Sequence, residues 1–209
     1  RSLNVTGYAE FTNNSNYEQD QVNLQYSQYI TQTVFVENRV RQMIHANLDQ
    51  IEEGREVDNK DVVNRFIGLA GSKVSSWCGD REEFLGRYHG YGNPAGVETG
   101  ELNNHGNYNE NGCGAITTTI ELAPGESRTI AFIVGMIDNK EAGEIVNLYA
   151  DTKAVCDREL EELITYWHGQ LSHFQIKTPS DEFNTMINTW NAYNCFMTFI
   201  WSRAASFTY

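Results

Sequence analysis

Residues 116–134 of this 209-residue chain read ITTTIELAPGESRTIAFIV, and this stretch favours a β fold. Apolar side chains recur at every second position on both sides of its centre, which in a strand places them on one face of a sheet. Between the two runs stand Pro124 and Gly125, the residues that a type II turn favours at its second and third positions. We therefore predict an antiparallel hairpin in which residues 116–122 pair with residues 130–134.

Alternation elsewhere extends the β interpretation over the N-terminal part of the chain. It recurs at residues 24–26, 33–36 and 62–70. Two other stretches read as long surface loops: the charged residues 47–60, and residues 86–114, which are rich in glycine, asparagine and tyrosine. Loops longer than about 15 residues are uncommon in compact domains and are often functional.

From about residue 141 the apolar period changes to 3.6, which predicts helices. A first helix carries a stripe of apolar side chains on one face. The stripe consists of Leu160, Leu163, Ile164, Trp167, Leu171 and Phe174. A second helix is predicted to begin with Thr178 as its N-cap and Pro179 at its first position, because these residue types favour those positions.

The second helix is apolar over an unusually wide arc. Its inward side chains are expected to be Phe183, Met186, Ile187, Trp190, Met197 and Ile200. A helix that is apolar on most sides is normally buried on most sides. The chain also begins at Arg1 inside an alternating pattern and ends at Tyr209 after an apolar run. We interpret the sequence as a segment of a larger protein that supplies the missing helices.

Composition excludes two classes of partner. The chain carries 28 acidic and 15 basic residues, a net charge of −13, without the basic patch that nucleic-acid binding needs. Its longest apolar stretch, residues 195–201, is far shorter than the about 20 residues of a membrane-spanning helix. The four cysteines form no CxxC pair, which favours a reduced, cytoplasmic protein. No nucleic-acid or membrane partner is expected.

The sequence contains few candidate catalytic motifs. The five histidines have no metal-ligand spacing with the cysteines, so no metal site is predicted. Residues 86–94, GRYHGYGNP, lack the Gly-Lys-Ser/Thr ending of a phosphate-binding loop. Two interpretations of this segment stay open. It is either a tight aromatic loop packed on the sandwich, or a lid whose rings contact the C–H faces of a sugar.

Arg203 is the candidate ligand-binding residue. It lies in WSRAAS, directly after the apolar helix, and is the only cation among residues 178–209. One interpretation is a helix C-terminal cation that neutralises the helix dipole. The other is a planar donor fork that binds a hydroxyl pair or a phosphate. Spacing alone does not separate the two.

Three blocks of sequence resemble the inverting β-glycoside phosphorylases of the cellobiose phosphorylase type. They occur in the order of that family and span nearly the whole chain. The blocks are YAEF at 8–11 with QDQVNL at 19–24, the segment from FLG at 84–86 to YGNPAGVETG at 91–100 with LAPGE at 122–126, and WNAYNC at 190–195 with WSRAASF at 201–207.

The resemblance implies a β-plus-α architecture in three parts. Residues 1–140 would form the later part of an N-terminal antiparallel β-sandwich, residues 141–178 linker helices, and residues 179–209 the first helix of an (α/α)6 catalytic barrel. The resemblance also implies a homodimer in which the sandwich of one subunit lies near the active site of the other. Residues 86–114 would then have a possible role at that site.

The activity implied is inverting phosphorolysis of a β-glucoside-type disaccharide to an α-sugar 1-phosphate and a free sugar. Inorganic phosphate is the co-substrate, and no cofactor is expected. The family's general acid is an aspartate in a Trp-Asn-Asp motif, which this chain lacks, so that residue is expected beyond Tyr209 and the segment alone is expected to be inactive. Arg203 matches the arginine of the family's SRxAS motif, which contacts the sugar 1-phosphate in chitobiose phosphorylases.

The substrate and the function class each have alternatives. Asn194 stands where cellobiose phosphorylases have glutamine, and Trp201 fits other specificities, so laminaribiose- or chitobiose-type substrates stay open. A second hypothesis is a non-catalytic carbohydrate-binding or dimerisation β-sandwich module. A third is a hydrolase on the same architecture, which would use water in place of phosphate.

Overall fold

The computed structural model describes residues 1–11, 29, 31–44, 65–108, 110–137 and 139–202. The chain divides into two compact units, Arg1–Val155 and Cys156–Tyr209. The predicted loop at 47–60 and the alternating residues 24–26 lie outside the described residues.

The first unit is built from two antiparallel sheets. In the described residues, one sheet has three strands in the order β1-β7-β5, and the other has five in the order β6-β2-β3-β4-β8. The strands are β1 (Ser2–Glu10), β2 (Thr31–Val36), β3 (Arg39–Ile44), β4 (Arg65–Ala70), β5 (Ser76–Asp80), β6 (Asn107–Tyr108), β7 (Gly112–Glu121) and β8 (Ala131–Met136).

A buried apolar cluster joins the two sheets. Phe11 and Ile116 come from the three-stranded side, and Val40, Ile67 and Leu69 come from the five-stranded sheet. Because side chains alternate along a strand, each sheet turns one apolar set toward the other. The predicted antiparallel β-sandwich is therefore confirmed.

Helices cover the outer faces of both sheets in this unit. They are α1 (Arg81–Leu85), α2 (Ala95–Thr99) and α3 (Asn139–Leu148). A fourth helix, α4 (Thr152–Leu171), begins in the last residues of this unit. Strand β4 shows the consequence, since all six of its residues are buried. Ile67 and Leu69 face the other sheet, while Phe66 and Ala70 pack against Ala142 and Val146 of α3. Alternation predicted one apolar face for β4, and that prediction was incomplete because both faces of the strand are buried.

The predicted hairpin is wrong, although its turn exists. Strand β7 pairs with β1 and β5, whereas β8 pairs with β4 in the other sheet. The turn is formed as expected, with Glu126 N–H donating to the carbonyl of Ala123 at 3.0 Å and Gly125 at a φ of +80°. A turn sets the local backbone only. Residues 122–130 are long enough to carry the chain from one sheet to the other.

The predicted loop at 86–114 is also shorter than expected. It contains α2, then β6, and its last residues begin β7. Strand β6 extends the edge of the five-stranded sheet by pairing with β2. Glycine and asparagine marked the turns between these short elements, and a composition of that kind hides two-residue strands and one-turn helices.

The second unit is helical. Helix α4 continues to Leu171, so Phe174 of the predicted stripe lies beyond its end. After a connection come α5 (Asp181–Thr185), a π-helical turn at Met186–Asn191, α6 (Ala192–Met197) and a second π-helical turn at Thr198–Ser202.

The start of α5 differs from the prediction by two residues. Ser180 is the N-cap, and its hydroxyl accepts the amide hydrogen of Phe183 at 3.2 Å. Thr178 instead bonds Asn184, with its hydroxyl 2.9 Å from Asn184 Oδ1. Because Asn184 binds Thr178, Thr178 stays outside the helix, and Ser180, the next residue with a hydroxyl, becomes the N-cap. The acidic first turn is present and includes Glu182, where a hydrogen bond from its own amide and one from Ser180 lower the pKa.

The helical unit buries few of its large apolar side chains within this chain. Trp167 packs edge-on against Phe196, with ring centroids 5.2 Å apart. In contrast, members of the apolar arc predicted for the second helix are exposed, Trp190 by 57% and Met186 by 53%. The described helices include none long and apolar enough to cross a membrane.

Candidate functional site

The sequence-predicted site residue, Arg203, lies outside the described residues, so its role stays a prediction. The described part of the chain instead brings together polar side chains from the first two family-like blocks. They meet on the outer face of the three-stranded sheet, where β1 ends and α1 begins.

Helix α1 is fixed at both ends by local chemistry. At its start, the Asp80 carboxylate accepts the amide hydrogen of Glu83 at 2.9 Å, which caps the helix. At its end, Gly86 takes a φ of +81° and its amide donates to Glu82 O at 2.8 Å. Glycine adopts this left-handed φ without strain, and the chain turns there into residues 86–94.

Three side chains anchor that loop. The Tyr91 hydroxyl donates to the Glu10 carboxylate at 2.6 Å, across 81 residues of sequence. Arg81 Nε lies 3.2 Å from the second oxygen of Glu10 and 3.1 Å from the Tyr91 hydroxyl. The Arg81 guanidinium also lies 5.8 Å from the centre of the Tyr91 ring. This cluster, called the Glu10 cluster below, fixes the base of the loop to strand β1.

Tyr8 forms the apolar side of the Glu10 cluster. Its ring stacks on Phe84 of α1, with centroids 4.6 Å apart and an interplanar angle of 13°. Its hydroxyl is 3.4 Å from Glu10 Oε2. Burial, followed by the nearby Cys113 thiol and the Glu10 carboxylate, raises the pKa of the Tyr8 phenol far above its ordinary value. Tyr8 therefore stays a neutral hydrogen-bond donor.

The tip of the loop is presented to solvent. Tyr88 is fully exposed and has a φ of +65°, a conformation that is unusual for a bulky side chain. His89 closes the loop, with Nδ1 2.8 Å from Asn93 O. The first sequence interpretation, a loop packed on the sandwich, is realised at the base of the loop. The second, a lid whose rings contact a sugar, stays a prediction.

Sequence reasoning missed the Glu10 cluster. Glu10 and Tyr91 both belong to family-like blocks, but nothing in one sequence shows that the two blocks touch, and Arg81 lies outside the blocks. The one usable signal was the chemistry of the second block. An aromatic hydroxyl in a glycine-rich loop needs a partner when it packs.

Metal and thiol chemistry have little support in the described residues. No group of three or more His, Cys, Asp or Glu side chains is arranged there to hold a metal ion. The cysteines Cys78, Cys113, Cys156 and Cys195 are all free thiols, the first two buried.

Comparison with known proteins accounts for the three blocks. Residues 1–152 match the family model for the glycosyl hydrolase 94 supersandwich domain. The chain belongs to glycosyl hydrolase family 94. Residues 166–209 match the model for the catalytic domain of the same superfamily. The resemblance read from the sequence is therefore confirmed.

Family 94 relatives with an assigned activity include phosphorylases. The chain is 29% identical over 208 residues to the N,N'-diacetylchitobiose phosphorylase of Vibrio proteolyticus and 28% identical over 207 residues to that of Vibrio furnissii. In each case the alignment covers 99% of this chain and 24% of the relative. The chain is also 34% identical over 115 residues to the 3-O-beta-D-glucopyranosyl-beta-D-glucuronide phosphorylase of Paenibacillus borealis, covering 54% of this chain and 14% of the relative.

The chain thus spans about a quarter of the length of the chitobiose phosphorylases it matches. The Glu10 cluster lies in the part that matches the supersandwich domain, and Arg203 lies in the part that matches the catalytic domain. The family 94 match therefore assigns the two candidate regions to different domains.

Proposed function

We propose that the protein carrying this chain is a disaccharide phosphorylase. It would cleave a β-glucoside-type disaccharide with inorganic phosphate and release an α-sugar 1-phosphate and a free sugar. The observation that carries this proposal is the similarity to chitobiose phosphorylases over 99% of the chain. That similarity also favours an N-acetylglucosamine-type substrate over cellobiose, in keeping with Asn194 and Trp201.

Phosphorolysis needs fewer catalytic groups than hydrolysis. A phosphate oxygen attacks the anomeric carbon from the face opposite the glycosidic bond, and a carboxylic acid gives its proton to the leaving oxygen. An inverting hydrolase needs a second carboxylate to activate water. Phosphate is already a nucleophile at neutral pH, so a pocket of cations and hydrogen-bond donors replaces that base. The proposed general acid is an aspartate beyond Tyr209, and the segment alone is proposed to be inactive.

Arg203 is proposed to contribute to the sugar 1-phosphate pocket. Its planar fork suits two phosphate oxygens, and it lies in the part of the chain that matches the catalytic domain. In the complete protein, Arg203→Ala should weaken sugar 1-phosphate binding by about 2–4 kcal/mol, as for a buried charge-assisted contact. Isothermal titration measures this loss. Unchanged affinity with a lower melting temperature would instead assign Arg203 to the helix dipole.

The proposed domain organisation assigns a role to each part. Residues 1–140 would be the later part of the sandwich, residues 141–178 the linker, and residues 179–209 the first helix of an (α/α)6 barrel. What supports this organisation is the wide exposed apolar surface of residues 181–200, which partner helices of a barrel would cover.

A homodimer and a cytoplasmic location complete the proposal. The exposed Tyr88 on an anchored loop supports contact with a second subunit, since large exposed aromatic side chains are typical of interfaces. The four free thiols support a reducing compartment.

The test is an assay of the complete protein with β-linked disaccharides, with and without phosphate. Phosphate-dependent release of sugar 1-phosphate is expected. Turnover with water alone would favour the hydrolase. Sugar binding with no turnover under either condition would favour the non-catalytic module. Residues 1–209 assayed alone should release no sugar 1-phosphate, and release by that segment would contradict the proposed position of the general acid.

A further inference from the structure

A cleft of about 540 Å³ opens at the edge of the sandwich, between β5 of one sheet and β2 and β6 of the other. It lies outside the Glu10 cluster and is formed entirely within the first unit. Its volume falls within the range of about 300–1,000 Å³ that ligand pockets occupy. The lining residues that matter for the argument are Gln32, Phe35, Trp77, His105, Tyr108 and Glu110.

The backbone around the cleft is held by hydrogen bonds between the two sheets. The Thr33 hydroxyl donates to the carbonyl of Gly79 at 3.0 Å and accepts the amide hydrogen of Asn107 at 2.7 Å. The Asn107 side chain donates to Asp80 at 3.0 Å. Thr33, Asn107 and Asp80 are all buried, so the cleft is lined by fixed strands. A preformed site of this kind loses little entropy when it binds.

An aromatic pair supplies the apolar part of the lining. Phe35 and Trp77 stack across the two sheets, with centroids 5.3 Å apart and an interplanar angle of 16°. Both rings are half-buried and border the cleft. Tyr108 adds a third ring that is 60% exposed. Flat rings with polar groups nearby match a pyranose, which has an apolar C–H face and a rim of hydroxyls.

The polar residues of the lining indicate which ligand charge the cleft favours. Glu110 supplies an acceptor for hydroxyl groups, and His105, whose Nδ1 lies 3.2 Å from Glu83 Oε2, has a second ring nitrogen that is a further donor or acceptor. Of the lining residues, Asp80 and Glu110 are acidic, and none is Lys or Arg. A phosphate or a uronic acid would therefore meet like charge without a compensating cation, whereas an uncharged sugar would not.

We propose that this cleft binds an uncharged pyranose unit of an oligosaccharide. The site is independent of the proposed phosphorolysis, since it lies on the sandwich and its described lining contains no Lys or Arg to bind phosphate. It would hold a longer saccharide chain to the surface of the protein without cleaving it.

The experiment uses the complete protein and titrates it with two neutral tetrasaccharides, β-1,4-linked glucose and β-1,4-linked N-acetylglucosamine. Saturation-transfer NMR and calorimetry measure binding in the wild type and in Tyr108→Ala, Glu110→Gln and Trp77→Phe. Val134→Ala is the control, because it shortens an exposed apolar side chain on β8, at the edge of the five-stranded sheet opposite β6. Circular dichroism checks the fold of each variant, and the mild Glu110→Gln and Trp77→Phe changes keep the test valid if Tyr108→Ala unfolds.

At least one tetrasaccharide should bind, with affinity about tenfold weaker in Tyr108→Ala or Glu110→Gln and unchanged in Val134→Ala. The intrinsic fluorescence response should be lost in Trp77→Phe. Glucose 1-phosphate should not compete with the tetrasaccharide for this site. Three outcomes would each overturn the proposal. The first is that neither tetrasaccharide binds, and the second is that all folded variants bind equally. The third is that glucose 1-phosphate competes with the tetrasaccharide and still does so in Arg203→Ala. None of these outcomes bears on whether phosphorolysis occurs.

Discussion

At the scale of single residues, the Glu10 cluster fixes a loop to the sandwich. Glu10 accepts the Tyr91 hydroxyl and faces Arg81, but the side chain of Glu10 is 47% exposed and that of Arg81 26%. Water screens a partly exposed ion pair, so its net contribution is modest. The value of the cluster is positional, because it holds Tyr91 and therefore the exposed tip at Tyr88.

A double-mutant cycle should measure that contribution. Glu10→Ala and Tyr91→Phe should each lower the free energy of unfolding by about 0.5–1 kcal/mol, and the double mutant should fall short of their sum because each single change removes the same Glu10–Tyr91 hydrogen bond. Chemical denaturation gives the free energies. Hydrogen exchange at residues 86–94 should rise in both single mutants. Strict additivity would mean that the bond does not hold the loop.

The buried phenol of Tyr8 predicts a loss of stability in alkali. Its pKa is raised in the folded state, so the folded protein retains a proton that the unfolded chain loses above its ordinary value of about 10. The stabilisation is complete below about pH 10 and declines as the pH rises above it. Denaturation midpoints measured from pH 8 to 11 should therefore fall less steeply for Tyr8→Phe. Tyr88→Phe removes a fully exposed hydroxyl and should leave the profile of the wild type unchanged.

At the scale of elements, two asparagines hold the connection between α4 and α5. Asn188 accepts the amide hydrogen of Ile176 at 2.8 Å and donates to its carbonyl at 2.9 Å. Asn184 makes the same pair of bonds to Thr178, at 2.8 and 2.9 Å. The two side chains are one helical turn apart, so they bind alternate residues of the connection, Ile176 and Thr178. This geometry also explains why Ser180, and not Thr178, caps α5.

Each of the two asparagine side chains, with its pair of hydrogen bonds, is called a clamp here. Removing the Asn188 clamp should destabilise the connection between α4 and α5. Asn188→Ala leaves the amide and carbonyl of half-buried Ile176 without their partner and should lower stability by about 1–2 kcal/mol. Hydrogen exchange of the Ile176 amide should accelerate. Thr189→Ala, at an exposed neighbouring position, is the control and should change neither quantity. An unprotected Ile176 amide in the wild type would contradict the clamp.

At the scale of the whole molecule, burial is unevenly distributed. Among the residues that the structure describes, all three clusters of buried apolar side chains lie within the first unit. The helical unit instead exposes large apolar side chains: Leu160, Leu163, Ile164, Phe183, Met186, Trp190, Phe199 and Ile200. An apolar surface of this extent is typical of an interface.

Truncation should show that cooperative unfolding belongs to the first unit and that the exposed apolar surface belongs to the helical unit. A chain of residues 1–155 should still unfold cooperatively, because it keeps every buried cluster, and it should lose most of the hydrophobic-dye fluorescence of residues 1–209. Calorimetry and dye binding measure the two properties. Loss of cooperative unfolding would show that the sandwich depends on the helices. Undiminished dye binding would locate the exposed apolar surface in the sandwich.

The sequence by itself determined the family and the kind of most of the long elements, but not the short strands and helices within residues 76–108. Period-2 alternation indicated strands, period 3.6 indicated helices, and Pro124 with Gly125 indicated a turn, because these signals depend only on residues near one another in the chain. Family-like blocks were equally readable, since a motif is a local string.

Tertiary structure alone decided which parts meet. It placed β7 and β8 in different sheets despite the turn between them, buried β4 on both faces, and brought Glu10 to Tyr91. It also formed the cleft that Trp77 and Phe35 border, a stacked pair whose members come from opposite sheets. The physical reason is the same in each case. Strand pairing and side-chain contact across a sandwich depend on which distant apolar faces pack together, and a local pattern states that a face exists without stating which partner covers it.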